Sequence, residues 1–201
     1  ADLALERGFI PFIDTAYQGL GDGLDEDGYG MRMMAERLPE LVIASSCSKN
    51  FGLYRERTGS ITFIAETPEQ ADIVLSQAMS TARSIYSMPP AHGALLVSMV
   101  LGDDQLRAHW QTELETTRLR IKSMRTLLCN SIQDNEAGLD FSHIKEQKGM
   151  FSFLGITLLQ LERLRDEFGI YIVSSTRINL AGVNSNNIDY LSQSMLSVLK
   201  P

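Results

Sequence analysis

The sequence predicts an α/β fold, part of a large mixed-sheet domain followed by a small α+β domain. Three observations predict it. Short apolar runs bounded by turn residues alternate with helical patterns in the first half, as in a parallel or mixed sheet covered on both faces. A segment from Asp103 to about Ala137 has no Gly or Pro and carries a single apolar stripe. After it, short strand-like and helix-like patterns alternate over a smaller span.

Phe9-Ile10-Pro11-Phe12-Ile13 reads as a buried strand ending at Asp14, with its proline near the start or at an edge. Gly19, Gly21 and Gly23 mark a loop. A short helix is expected from about Tyr29 to Leu38, stopped by Pro39. Leu41 to Ala44 is a second buried strand, and the polar run Ser45-Ser46-Cys47-Ser48-Lys49-Asn50 follows at once. Ser60 to Ala65 is a third strand, and Pro68 opens a helix to about Ile85. In the long segment Leu106, Trp110, Leu114, Ile121, Met124 and Leu128 share one helical face, capped by Asp103 or Asp104 and ended by Gly138. Such a helix spans roughly 45–50 Å at its rise per residue, enough to pass from one domain into another. The boundary is placed near Thr117, giving domains 1–116 and 117–201. The second holds strands at Met150–Leu154, Tyr171–Val173 and Ile178–Ala181, a helix at about Leu158–Phe168, and a last helix bearing Ile188, Leu191, Met195 and Leu199 on one face.

With 201 residues, 44% hydrophobic and 21% charged, the composition suits a packed core. A net charge of −7 argues against nucleic-acid binding, which needs a basic face. Cys47 and Cys129 form no CxxC pair, and His92, His109 and His143 are scattered. The pattern fits a reducing, cytoplasmic setting and offers no disulfide or metal framework. No stretch is long and apolar enough to span a membrane, and Ala1–Arg7 lacks the pattern of a signal peptide. The chain starts without Met, and the expectation is a processed chain or one that begins within a longer protein.

In open α/β sheets chemistry gathers past the carboxyl ends of strands. Asp14 and Tyr17 follow the first strand, Ser46 and Lys49 the second, and Arg57 precedes the third. These are the parts a pyridoxal phosphate site requires. A lysine amine forms a Schiff base with the cofactor aldehyde. A buried carboxylate keeps the ring nitrogen protonated, a part open to Asp14. Hydroxyls and a guanidinium hold the phosphate, which suits Ser46 and Arg57. A phenol such as Tyr17 tunes the linkage from the ring oxygen.

The run Asp14-Thr15-Ala16-Tyr17-Gln18-Gly19, then Ser46-Cys47-Ser48-Lys49-Asn50-Phe51-Gly52-Leu53-Tyr54, then Glu56-Arg57-Thr58-Gly59, resembles the core of class I aspartate and aromatic amino acid aminotransferases. Tyr86 to Ala94, Gly149 to Phe153 and Arg177 to Gly182 resemble three further motifs of that family. The resemblance implies the C-terminal half of a fold-type I pyridoxal-phosphate-dependent transferase that works as a homodimer. It implies amino-group transfer between an L-amino acid and a 2-oxo acid, with Lys49 as Schiff-base lysine and general base. Asp14, Tyr17, Ser46 and Arg57 would hold the cofactor, and Arg177 would bind the substrate α-carboxylate as a bidentate fork. Arg83 would reach the neighbouring subunit's site and bind the side-chain carboxylate of aspartate or glutamate, without excluding aromatic substrates. Ser87 would lie at that shared site, where Met88 departs from the usual Asn or Ser. The family's mature chain is about twice this length, and the half it adds carries a phosphate-cradling loop and a ring that stacks on the cofactor.

Each residue has a plainer reading when taken alone. Most lysines are solvated, Asp14 could be a turn cap, Arg57 a surface ion-pair partner, Arg83 a helix-dipole partner, and Arg177 an exposed arginine beside a strand. Their joint spacing weighs against that. Asp25, Asp27, Gly30 and Glu36 nearly fit a calcium loop, but Tyr29 occupies a ligand position. Gly19, Gly21 and Gly23 make no dinucleotide fingerprint, since Leu24 stands where the third glycine belongs. Two other readings remain: another reaction on the same cofactor, such as β-elimination or decarboxylation, and a folded but non-catalytic fragment.

Overall fold

A computed structural model describes residues 1–136 and 138–200. The chain forms two compact units: Ala1–Gly19 with Gly23–Leu114, and Leu20–Asp22 with the residues from Glu115 onward.

The first unit contains α1 (Asp2–Arg7), β1 (Phe12–Thr15), α2 (Leu24–Arg37), β2 (Leu41–Ser46), β3 (Gly59–Ile64), α3 (Pro68–Tyr86), α4 (His92–Gly102) and the start of α5 (Asp104–Gln133). Its sheet has the order β1-β2-β3 and is mixed, with β1 parallel to β2 and β2 antiparallel to β3. β1 begins at Phe12 rather than Phe9, because Pro11 has no N–H for the ladder. Its carbonyl still accepts from the Val42 amide at 3.1 Å.

α2 starts at Leu24, earlier than the expected Tyr29, because Gly28 and Gly30 sit inside a helix rather than before one. Gly28 is buried, and a Cβ there would come within 2.7 Å of the Arg32 guanidinium. The residues weighed as a calcium loop therefore lie on helical turns, and no group of three or more possible metal ligands occurs among the described residues. α4 is apolar on every side, so no periodicity announces it. α3 opens on a capping box, Thr67 with Gln70, around Pro68.

The second unit holds the rest of α5, then α6 (His143–Glu146), β4 (Phe151–Phe153), α7 (Leu158–Phe168), β5 (Arg177–Asn179), a 3₁₀ turn (Leu180–Gly182) and α8 (Ile188–Val198). β4 and β5 pair antiparallel. The strand expected at Tyr171–Val173 does not form, since these residues pair with no neighbouring strand and Tyr171 is 82% exposed. The strand expected at Ile178–Ala181 is shifted to Arg177–Asn179, and the chain then turns.

α5 is capped as expected: Asp103 Oδ1 accepts from the amides of Gln105 and Leu106 at 2.9 and 3.0 Å. It ends at Gln133, before the expected Gly138, because the Asn135 side chain takes over the exit. That amide donates to the carbonyls of Ile132 and Leu139 and accepts from the Leu139 amide. Ala137, the expected last helical residue, lies outside the described residues. No described helix is long and apolar enough to cross a membrane.

The core is uneven. Leu128, Ile132, Ile144, Leu164, Leu180 and Met195 are fully buried in the second unit. In the first unit the buried apolar residues are Ala4, Leu38, Leu41 and Leu114. α3 buries nothing, and Phe12, Ile61, Ile73, Met79 and Ile85 are all more than half exposed. At about 25 cal/mol per Å² of apolar surface, so bare a sheet and helix forgo much of the stabilisation a domain of this size normally draws on.

Candidate active site

The loops after β1 and β2 meet because the two strands are parallel neighbours, in register from Phe12–Val42 to Thr15–Ser45. Side chains alternate along a strand, so cross-strand partners share a face. Thr15, Ser45 and Ser60 lie on one face and line a cavity of about 420 Å³. Asp14, Ala44 and Ile61 lie on the other, with Ser46 two residues beyond Ala44. Asp14 and Ser46 are therefore on the same face at the carboxyl ends of β1 and β2.

Past those ends the loops bring Tyr17 and Lys49 together. Lys49 Nζ stands 4.6 Å from the centre of the Tyr17 ring, a cation–π contact. Lys49 is half-buried in a turn closed by two long backbone hydrogen bonds, Phe51 to Cys47 at 3.3 Å and Gly52 to Lys49 at 3.2 Å. Ser46 Oγ donates to Ser48 Oγ at 3.0 Å and accepts from the Ser48 amide at 3.2 Å.

Arg57 enters from β3. Ser46 pairs with Gly59, and the Cys47 amide donates to the Thr58 carbonyl at 3.0 Å, so the Arg57 turn runs beside the Ser46 turn. Gly59 is required there: a Cβ would collide with the Ser45 carbonyl. Arg57 adopts φ 51°, and its Nη1 donates to the Tyr54 carbonyl at 2.7 Å, which leaves its remaining N–H groups for other acceptors. The N-terminus of α4 braces this turn, where His92 Nδ1 lies 2.8 Å from Glu56 and Gly93 packs against Thr58.

The donor set fits an aldehyde phosphate. An amine, a hydroxyl and a guanidinium sit on turns at the ends of adjacent strands, with a carboxylate on the Ser46 face. Asp14 is solvent-exposed in this chain, so the dry surroundings expected for it need further cover. Burial raises the Cys47 thiol above its usual range, which leaves it protonated at neutral pH and unsuited to act as a nucleophile.

Arg83 stands exposed in the last turn of α3. Ser87 caps that helix with φ 68° and ψ −66°, and the Met88 amide bonds to the Tyr86 carbonyl at 2.8 Å. This is a γ-turn of the uncommon, strained hand.

In the second unit Arg177 opens β5 with its guanidinium 4.6 Å from the centre of the Phe151 ring. Both line a cavity of about 490 Å³ with Tyr171, Asn179 and Tyr190. Sequence reasoning gave Phe151 no role. The signal was the β4–β5 register, which pairs Phe153 with Arg177 and sets Phe151 diagonally to it on the same face. Sequence reasoning also missed Trp110 and Asn50, which hold the Lys49 turn.

The fold is a mixed α/β arrangement with polar loops past the carboxyl ends of neighbouring strands, and comparison with known proteins gives its family. The chain belongs to the aminotransferase class I and II family, whose model matches residues 1–195. It is 50% identical to the aspartate aminotransferase of Haemophilus influenzae over 99% of its length and 50% of that protein. It is 44% identical to the aromatic-amino-acid aminotransferase of Pseudomonas aeruginosa over 98% of its length, again half of that protein. Among solved structures, the psychrophilic aromatic amino acid aminotransferase from Psychrobacter sp. B6, cocrystallised with aspartic acid, superposes with a TM-score of 0.96 at 44% identity, covering 100% of this chain and 50% of that one. The Burkholderia pseudomallei aromatic-amino-acid aminotransferase, covalently bound to pyridoxal phosphate, does so with a TM-score of 0.96 at 41% identity, covering 99% and 50%. The fold is that of fold-type I aminotransferases, and the chain spans about half the length of the curated relatives it matches.

Proposed function

We infer that this chain is the C-terminal half of a pyridoxal-phosphate-dependent aminotransferase that moves an amino group between aspartate or glutamate and a 2-oxo acid. The observation that carries this reading is the Lys49 amine over the Tyr17 ring, with Ser46 and Arg57 on adjoining turns. The cofactor, when bound, supplies an aldehyde carbon and an electron-withdrawing ring. Lys49 would hold the cofactor through its amine and would be the base for the substrate Cα proton. Asp14 would keep the cofactor's ring nitrogen protonated, and Tyr17 would hydrogen-bond its ring oxygen. Ser46 and Arg57 bind the phosphate, Arg57 through N–H groups not spent on Tyr54.

Residues 1–116 belong to the large cofactor domain in this reading and 117–201 to the small domain. Arg177, steadied by Phe151, takes the substrate α-carboxylate. Arg83, in a homodimer, takes the distal carboxylate in the partner's site. The bare faces of the first unit support a requirement for further chain, which would also bury Asp14. A cytoplasmic location fits the unpaired cysteines.

The test is Lys49→Ala in the full polypeptide, supplied with aspartate and 2-oxoglutarate. Loss of the lysine–cofactor absorbance and of glutamate formation is expected. Undiminished transfer by that variant would overturn the reading, and alanine with CO2 in place of glutamate from the unsubstituted protein would redirect it to decarboxylation.

A further inference from the structure

We propose that Trp110, on α5, is a positioning residue for Lys49, acting through a clamp that runs from Trp110 to Asn50 to Gln18. The inference rests on the reading of Lys49 as the cofactor lysine. The Trp110 indole N–H donates to the Asn50 carbonyl at 2.7 Å, across sixty residues of sequence. The same indole stacks on Phe51, with ring centroids 4.4 Å apart and planes 12° from parallel. The Asn50 side-chain amide then donates to the Gln18 carbonyl at 3.3 Å. Gln18 is itself tied to the start of α2, donating to the Leu24 carbonyl at 3.0 Å.

The placement of these ties matters. Asn50 follows Lys49 and Gln18 follows Tyr17, so the clamp grips the chain one residue beyond each member of the Lys49–Tyr17 contact. Inside the turn the two backbone bonds are longer, at 3.3 and 3.2 Å. The tie at 2.7 Å and the aromatic stack are the firmer restraints. Asn50 Oδ1 is buried without a hydrogen-bond partner, a cost the turn bears while its Nδ2 spans the two loops. Trp110 touches neither reacting atom, and its effect reaches the amine by narrowing the positions that Lys49 samples.

The experiment compares Trp110→Phe, which keeps a ring on Phe51 but removes the N–H, with Trp110→Leu, which removes both. Two readouts are taken in the full polypeptide. One is the rate at which Lys49 is captured by pyridoxal phosphate, trapped with borohydride and located by peptide mass. The other is the pH midpoint of Lys49 acetylation in competition labelling of the cofactor-free protein.

Trp110→Phe is expected to slow capture about fivefold, the equivalent of about 1 kcal/mol for one hydrogen bond. Trp110→Leu is expected to slow it more than tenfold and to shift the labelling midpoint, with turnover falling more than substrate KM rises. Wild-type capture rates and midpoints in both variants would overturn the clamp. Absence of capture at Lys49 in the unsubstituted protein would instead overturn the cofactor reading, while the labelling midpoint still tests the clamp. Should Trp110→Leu fail to fold, Trp110→Phe decides alone.

Discussion

Replacing Arg125 with leucine should destabilise the second unit by about 4 kcal/mol. Arg125 is 2% exposed on α5 and has no carboxylate partner among its described contacts. Its Nη1 donates to the Ile144 carbonyl at 2.9 Å and to Ser152 Oγ. Its Nη2 donates to the carbonyls of Gly149 at 2.7 Å and Phe151 at 3.2 Å. One planar fork thus fastens α6 and both ends of the turn into β4 onto α5. Burial lowers the guanidinium's proton affinity, the mark of a charge held out of water. Charged hydrogen bonds are each worth more than about 1 kcal/mol, but that desolvation offsets part of the gain, so about 1 kcal/mol per acceptor is the net used here. Leucine fills much of the volume but removes this donor from all four acceptors, two of them fully buried. In a unit of this size a loss of about 4 kcal/mol lowers Tm by roughly 20 °C. The assay is urea unfolding followed by hydrogen exchange at the amides of α5 and β4. Arg125→Lys should fall between the two, since an ammonium has three donors and no fork. A leucine variant within about 1 kcal/mol of the parent would refute the reasoning. The same contact holds β4, which carries the Phe151 ring beside Arg177.

Three further outcomes are expected. Asp22 is held below the ordinary carboxylate range, first by its hydrogen bond from Lys148 and then by that from Lys122. A lowered folded pKa means the tie is fully present above the unfolded value of about 4 and is lost as pH falls through the folded one. Asp22→Asn should therefore flatten the acid limb of a stability-versus-pH curve and reduce its salt dependence, and an unchanged acid limb would count against the tie. Ser87→Gly should raise the unfolding midpoint by the equivalent of about 1 kcal/mol, since relief of the positive φ exceeds the entropy cost of glycine. Thr157→Ala removes one side of the capping box with Gln160 and should cost about 1 kcal/mol, read as a lower urea midpoint and faster exchange in the first turn of α7.

Much of the architecture was legible because it is encoded locally. The apolar runs before Asp14 and Ser46, the proline at Pro68 and the unbroken stripe from Leu106 to Leu128 each report on a single strand or helix. The spacing of Asp14, Tyr17, Ser46, Lys49 and Arg57 was readable for the same reason, since each follows or precedes a strand by a fixed number of residues. Helices that break local rules were harder to see. α2 carries two glycines inside it, of which Gly28 packs against Arg32 and Gln18 while Gly30 faces open space, and α4 has no polar face to set its phase. The expected strand at Tyr171–Val173 had the composition of a strand but no ladder to join.

By itself the sequence determined most of the strands and helices, and the polar residues that follow β1 and β2, because those depend on neighbours a few positions away. Only the tertiary structure decided that Trp110 would hold the turn beside Lys49, that Phe151 would lie under Arg177, and that Arg125 would stay buried among carbonyls. It also decided that the first unit would leave its apolar faces bare. Those features arise where distant segments meet, and burial depends on what covers a surface rather than on the order of residues within it.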